Sequence, residues 1–149
     1  MKKAILFAVV LALPYGAHAA EKPAAAAAPA GKDMTVTGEV VDAACYIIHA
    51  GSGPGHKACA TDCAHKGVPL AIMNEADSTF YFPSDGNVKL MDLIAERVTV
   101  TGKVTHHDEK MTMTMPAGKK GHMNVDIDGG YEVIEVATVT KSAAAPAKK

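Results

Sequence analysis

The sequence predicts a mainly β domain: a small barrel of five short strands, with a helical insert after the first strand and a short helix before the fourth. Three observations predict it. Two segments, Thr35-Val36-Thr37-Gly38-Glu39-Val40 and Thr99-Val100-Thr101-Gly102-Lys103-Val104, echo each other, and both alternate with period two. Short apolar runs separated by turn-rich gaps lie between and after them. All three cysteines fall in one stretch, 45–63, that breaks the alternation.

The N-terminus reads as an address and not as part of the fold. Lys2 and Lys3 precede an apolar run over residues 4–13 that stops at Pro14. Ala17-His18-Ala19 then places small residues at the two positions a signal peptidase reads. The expectation is a secretory signal over residues 1–19 and a periplasmic or secreted protein. The apolar run is shorter than the roughly 20 residues that span a bilayer, so no stable membrane anchor is expected after cleavage. Residues 20–33 are rich in Ala and Pro, and residues 141–149 (KSAAAPAKK) repeat that composition in basic form. Both read as flexible segments, because they bury too little apolar surface to offset the entropy of ordering. Residues 34–140 are left as a single domain of ordinary size.

In each echoed segment Val, Gly and Val share one face, and Thr, Thr and a charged residue share the other, as in a strand with one wet face. The glycine within each suggests a bulge or a sharp bend at a barrel corner. Pro69 to Met73 and Thr79 to Phe82 read as the next two strands, with 74–78 as their turn. Residues 87–96 (NVKLMDLIAE) could bury Val88, Met91, Leu93, Ile94 and Ala95 as the stripe of a short helix. Asp128-Gly129-Gly130 is a turn signal, and residues 131–140 (YEVIEVATVT) close the domain as the last strand. This order resembles the oligonucleotide/oligosaccharide-binding (OB) barrel, and the TVTGxV pattern resembles small exported OB-like bacterial proteins of uncertain function. The resemblance implies a fold and leaves function to the site.

The stretch that breaks the pattern is the informative one. Cys45, Cys59 and Cys63 share 45–65 with His49, His56 and His65. Cys59 and Cys63 are four apart in an Ala-rich segment that Gly67 would cap, and Cys45 and His49 have the same spacing. On a helix such pairs share a face. Folding back the Gly/Pro turn between them would converge Cys45, His49, Cys59 and Cys63, with His56 as a substitute nitrogen. Thiolates with an imidazole suit a zinc or copper ion. In an oxidising compartment two of the cysteines could instead pair as a disulfide, leaving a spare thiol.

A second set is softer still. Met111, Met113 and Met115 alternate along one strand face, with His106, His107 and His122 nearby in sequence. This M-x-M run faintly resembles the periplasmic copper-efflux metallochaperones, small OB-type barrels that hold Cu⁺ with one histidine and two methionines. The resemblance implies an accessory copper site built from two of the three methionines and one of those histidines. The chain has no tryptophan, where that family stacks one on its copper, and it adds the three-cysteine insert. Methionines at alternate strand positions also simply fill barrel interiors.

The chain has formal charge −1 and shows no basic stripe, which excludes nucleic acid as a partner. No paired-carboxylate, serine-triad or phosphate-loop signature points to an enzyme. The reading is an exported copper- or zinc-binding carrier, sensor or sequestering module, with another periplasmic metal-handling protein as partner. The rival readings are a thiol–disulfide redox protein and a disulfide-stapled, partner-binding barrel without metal.

Overall fold

A computed structural model describes residues 30–117 and 121–143. The signal over residues 1–19 and most of the 20–33 segment lie outside the described residues. Seven strands are present among the described residues: β1 (Lys32–Asp42), β2 (Leu70–Asn74), β3 (Phe80–Pro83), β4 (Arg97–His107), β5 (Met111–Ala117), β6 (Gly121–Ile127) and β7 (Tyr131–Lys141). Two helices, α1 (Ala43–His49) and α2 (Lys57–His65), sit between β1 and β2.

Five of the strands close into a barrel in the order β1-β2-β3-β7-β4. Every pairing is antiparallel except β3 with β7, which is parallel. This is an OB-like barrel, with β7 in the place of the fifth strand. Alternation sets the interior as expected: Val36, Val40, Val98, Val100 and Val104 are buried, whereas Thr35 and Lys103 are exposed. The two in-strand glycines mark where the sheet bends. Gly38 pairs with Val98 on one side and Asn74 on the other, and a Cβ there would run into the Met73 carbonyl. At Gly102 the register against β7 slips after Thr101, and a Cβ would strike the Glu135 carbonyl.

The helix expected over 87–96 takes the form of a three-residue 3-10 turn, Met91–Leu93. The Asn87 side chain is the physical reason. It accepts from the Leu70 N–H at 2.7 Å and donates to the Val68 carbonyl at 2.8 Å, so it ties this segment to the start of β2. Asn side chains that bond backbone in this way compete with helix formation. Leu90 and Ile94 fill the core, and Val88, expected in the stripe, is 80% exposed.

Between β4 and β7 the chain adds a β5–β6 hairpin that forms its own two-stranded sheet. One face carries the cross-strand pairs Thr112–Asp126 and Thr114–Asn124, both hydrogen-bonded and exposed. The other face is apolar, with Met113, Met115 and Val125 buried. That face packs beside α1 and the start of β2 in a second core, apart from the barrel interior.

A candidate metal centre of three cysteines

The site is assembled at the mouth of the barrel, where β1 runs straight into α1. Asp42, the last residue of β1, is the N-cap: its Oδ1 accepts the Cys45 N–H at 2.9 Å. A short acceptor two or three positions before the first free N–H groups is what starts a helix. Ala43 and Ala44 are fully buried, and their small side chains let the helix lie close against the sheet. Cys45 is thereby fixed in the first turn of α1.

The chain then reverses over 50–56. Ala50 takes a left-handed conformation, and Gly53 adopts φ of 69°, a region that glycine enters without strain. The helix α2 that follows ends in a Schellman motif. The Val68 N–H bonds the Cys63 carbonyl, and the Gly67 N–H, at φ of 91°, bonds the Ala64 carbonyl, both at 3.1 Å. Val68 and Cys63 are buried in the same cluster, the apolar contact that accompanies this motif. Ala60 and Ala64 turn toward the barrel core, and Cys63 turns toward the second core.

The outcome is a cluster. The sulfurs of Cys45, Cys59 and Cys63 all lie within 4.8 Å of one another. All three are free thiols, Cys45 and Cys63 buried and Cys59 exposed. An ion bonded to three sulfurs at about 2.3 Å holds them about 4 Å apart, so these sulfurs need to close by less than about 1 Å around one. Burial is the main cause that raises the Cys45 thiol well above the ordinary cysteine range, with the Asp42 carboxylate second. The same two causes, in the same order, push Cys63 up to about 11. In the metal-free protein both buried sulfurs are therefore protonated at neutral pH.

The histidines stand elsewhere. Among the described residues no imidazole joins the three-sulfur group. His49 is exposed in the last turn of α1, whereas α2 meets the first turn, about 6 Å away along the helix axis. His56 precedes α2, and its Nε2 is packed against Gly51, where a Cβ would come within 2.6 Å of it. That nitrogen is buried without a hydrogen-bond partner and borders a cavity of about 10 Å³, which Asp42, Ala60 and Ile94 also line. His65, at the end of α2, is exposed.

The methionines and the histidines near them in sequence take the following places. Met113 and Met115 are buried in the same core as Cys45 and Cys63, with Met111 packed against it. His106 and His107 point to opposite faces of β4. The His106 Nδ1–H donates to Glu132 at 2.7 Å, and its Nε2 stands 3.3 Å from Asp108. The hydrogen bond to Glu132 is the first cause that raises the His106 pKa. The His107 ring pairs with Glu109 and stacks on Tyr131 with centroids 5.1 Å apart. His122 is exposed opposite Pro116. Each methionine is thus a packing residue, and two of the three histidines already have carboxylate partners.

One residue at the site was not singled out by sequence: Asp42. Among the described residues it is the one charged side chain that is buried, and its Oδ2 has no hydrogen-bond partner. Its signal was the placement of Asp directly before Ala-Ala-Cys, which is an N-cap pattern. No protein-family model, no curated protein and no solved structure matches the chain.

Proposed function

We propose that this protein binds a soft or borderline metal ion through Cys45, Cys59 and Cys63, as a carrier, sensor or sequestering module and not as an enzyme. One observation carries the reading: three unpaired sulfurs from two helices meet within 4.8 Å. Copper and zinc are the candidate ions, since thiolate donors suit both. The apolar face of the β5–β6 hairpin keeps the buried side of the cluster dry, and exposed Cys59 leaves a route for an ion to enter. Export, and with it a periplasmic partner that hands over or receives the ion, is part of this proposal and rests on residues 1–19.

Binding must displace thiol protons, because the thiolate is the ligand. Three thiols that each give up a proton make apparent affinity rise by up to about a thousandfold per pH unit below the ordinary cysteine pKa of about 8.5, a slope of up to three protons per ion. Elemental analysis of the reduced protein after loading and desalting, with Cys59→Ser alongside, tests the reading. One ion per wild-type chain and a large loss in the variant are expected. No stoichiometric copper or zinc in either would end it.

Thiol–disulfide exchange is the competing use of clustered cysteines. It needs a thiolate nucleophile with a lowered pKa. The two buried cysteines, Cys45 and Cys63, are shifted the other way, so neither is an activated nucleophile, and exposed Cys59 is the attacking thiol this rival requires.

A further inference from the structure

Asp42 is buried more completely than any other charged group described, and capping α1 uses only half of it. The residue is 0% exposed. Its Oδ1 accepts the Cys45 N–H, whereas Oδ2 is buried and unpartnered. Among the described residues no Lys, Arg or His forms an ion pair with it. Buried polar atoms are almost always paired, so an orphaned carboxylate oxygen calls for a reason. Capping does not supply one, because Asn and Ser cap as well without a charge. The carboxylate stands at the start of α1, with its Oδ1 2.9 Å from the Cys45 backbone nitrogen, which places it beside the cluster.

The charge arithmetic at that place distinguishes one class of ion from another. Three thiolates around Cu⁺ leave a net charge of −2 facing a buried carboxylate, and three thiolates around a dication leave −1. In a poorly screened interior that difference is large. Oxygen donors also suit zinc and not Cu⁺, which prefers sulfur alone. Asp42 is not one of the donors that all lie within 4.8 Å of each other. It therefore acts from beside the sulfurs, through its charge and its free Oδ2.

We propose that Asp42 is the specificity-determining residue of the three-cysteine centre, making it select a zinc-like divalent ion over Cu⁺. This rests on the metal-binding reading above and goes further by naming the ion class and the residue that chooses it. Asp42→Asn removes the charge and keeps both the size and the cap, and Asp42→Ser supplies a second uncharged cap should the first not fold.

The test is competition titration of the reduced full-length protein with Zn²⁺ and separately with Cu⁺, against chelators of known affinity. Circular dichroism verifies the fold of each variant. The expected result is at least a tenfold fall in the ratio of Zn²⁺ to Cu⁺ affinity in the folded variant, with Cu⁺ binding unchanged or tighter. A ratio that stays the same, or both affinities falling together, overturns the proposal and leaves the metal site standing. Wild-type protein that binds neither ion overturns the metal-binding reading itself.

Discussion

The two cores of this protein are built from different materials. The barrel interior is branched aliphatic: Val36, Val40, Leu70, Ile72, Ile94, Val98, Val100 and Ile134 fill it. The neighbouring core, between α1, the start of β2 and the hairpin, is richer in small and sulfur-bearing residues: Ala43, Ala44, Cys45, Cys63, Ala71, Met113 and Met115, with Val68, Phe82 and Val125. The helix α2 lies between them, with Ala60 and Ala64 facing one and Cys63 facing the other. A core packed only for stability would use the rigid, well-shaped aliphatics of the first. Small residues and polarizable sulfur give the second region a softer, more adaptable packing. The difference teaches that an aliphatic core and the three-cysteine cluster lie side by side, on two faces of one nine-residue helix.

That division can be broken deliberately. The largest stability effect belongs to the barrel. Ile134→Ala, at a fully buried position, is expected to cost about 2–5 kcal/mol in denaturant unfolding, while protein that remains folded binds one ion per chain. Loss of ion binding out of proportion to unfolding would show that the two regions are not separable. Next comes the α1 cap: Asp42→Ala is expected to be about 1 kcal/mol less stable in the metal-free state than Asp42→Asn, which keeps the cap and equally lacks the charge. Equal unfolding midpoints in the two variants would mean that the cap does not hold Cys45 in place.

A third test is pH. Cys63 has a raised folded pKa, so the folded state holds its proton more tightly than the unfolded chain does. Its stabilising contribution is full below the ordinary cysteine value of about 8.5 and is lost as pH climbs toward about 11. Metal-free protein should therefore unfold at lower denaturant at pH 10 than at pH 7.5, and Cys63→Ala should lessen that dependence without abolishing it, because Cys45 keeps its own raised pKa. An equally steep dependence in the variant would contradict the assignment. Smallest of all, Val88→Ala, at an 80% exposed position, should change stability by less than about 0.5 kcal/mol.

How much of this was legible in the sequence follows the range of the interactions. The five barrel strands were readable because alternation is local, and both in-strand glycines mark bends, as their placement suggested. The i,i+4 spacing of Cys59 and Cys63 correctly implied a shared helix. Cys45 was readable as their partner because the Gly/Pro-rich stretch between them had to turn. The histidines failed for a tertiary reason. α2 meets the first turn of α1 and not the last, which strands His49, and the glycine at 51 offers His56 a niche away from the sulfurs. The hairpin's docking was also out of reach, since nothing in Met111-Thr112-Met113-Thr114-Met115 says which core its apolar face covers. Asp42 was hidden by its own ordinariness: an aspartate before a helix reads as a cap, and only burial shows that its second oxygen is unspent.

The central claim is that Cys45, Cys59 and Cys63 act as one binding unit. Its most direct test is the number of cysteines that a small alkylating reagent modifies, counted by intact mass, in reduced and unfolded-on-quench protein with and without one equivalent of Zn²⁺. The account predicts that without the ion exposed Cys59 is modified promptly and buried Cys45 and Cys63 only slowly, and that none is modified while the ion is bound. The same labelling with and without Zn²⁺ would contradict it, because three sulfurs that share an ion cannot remain open to the reagent.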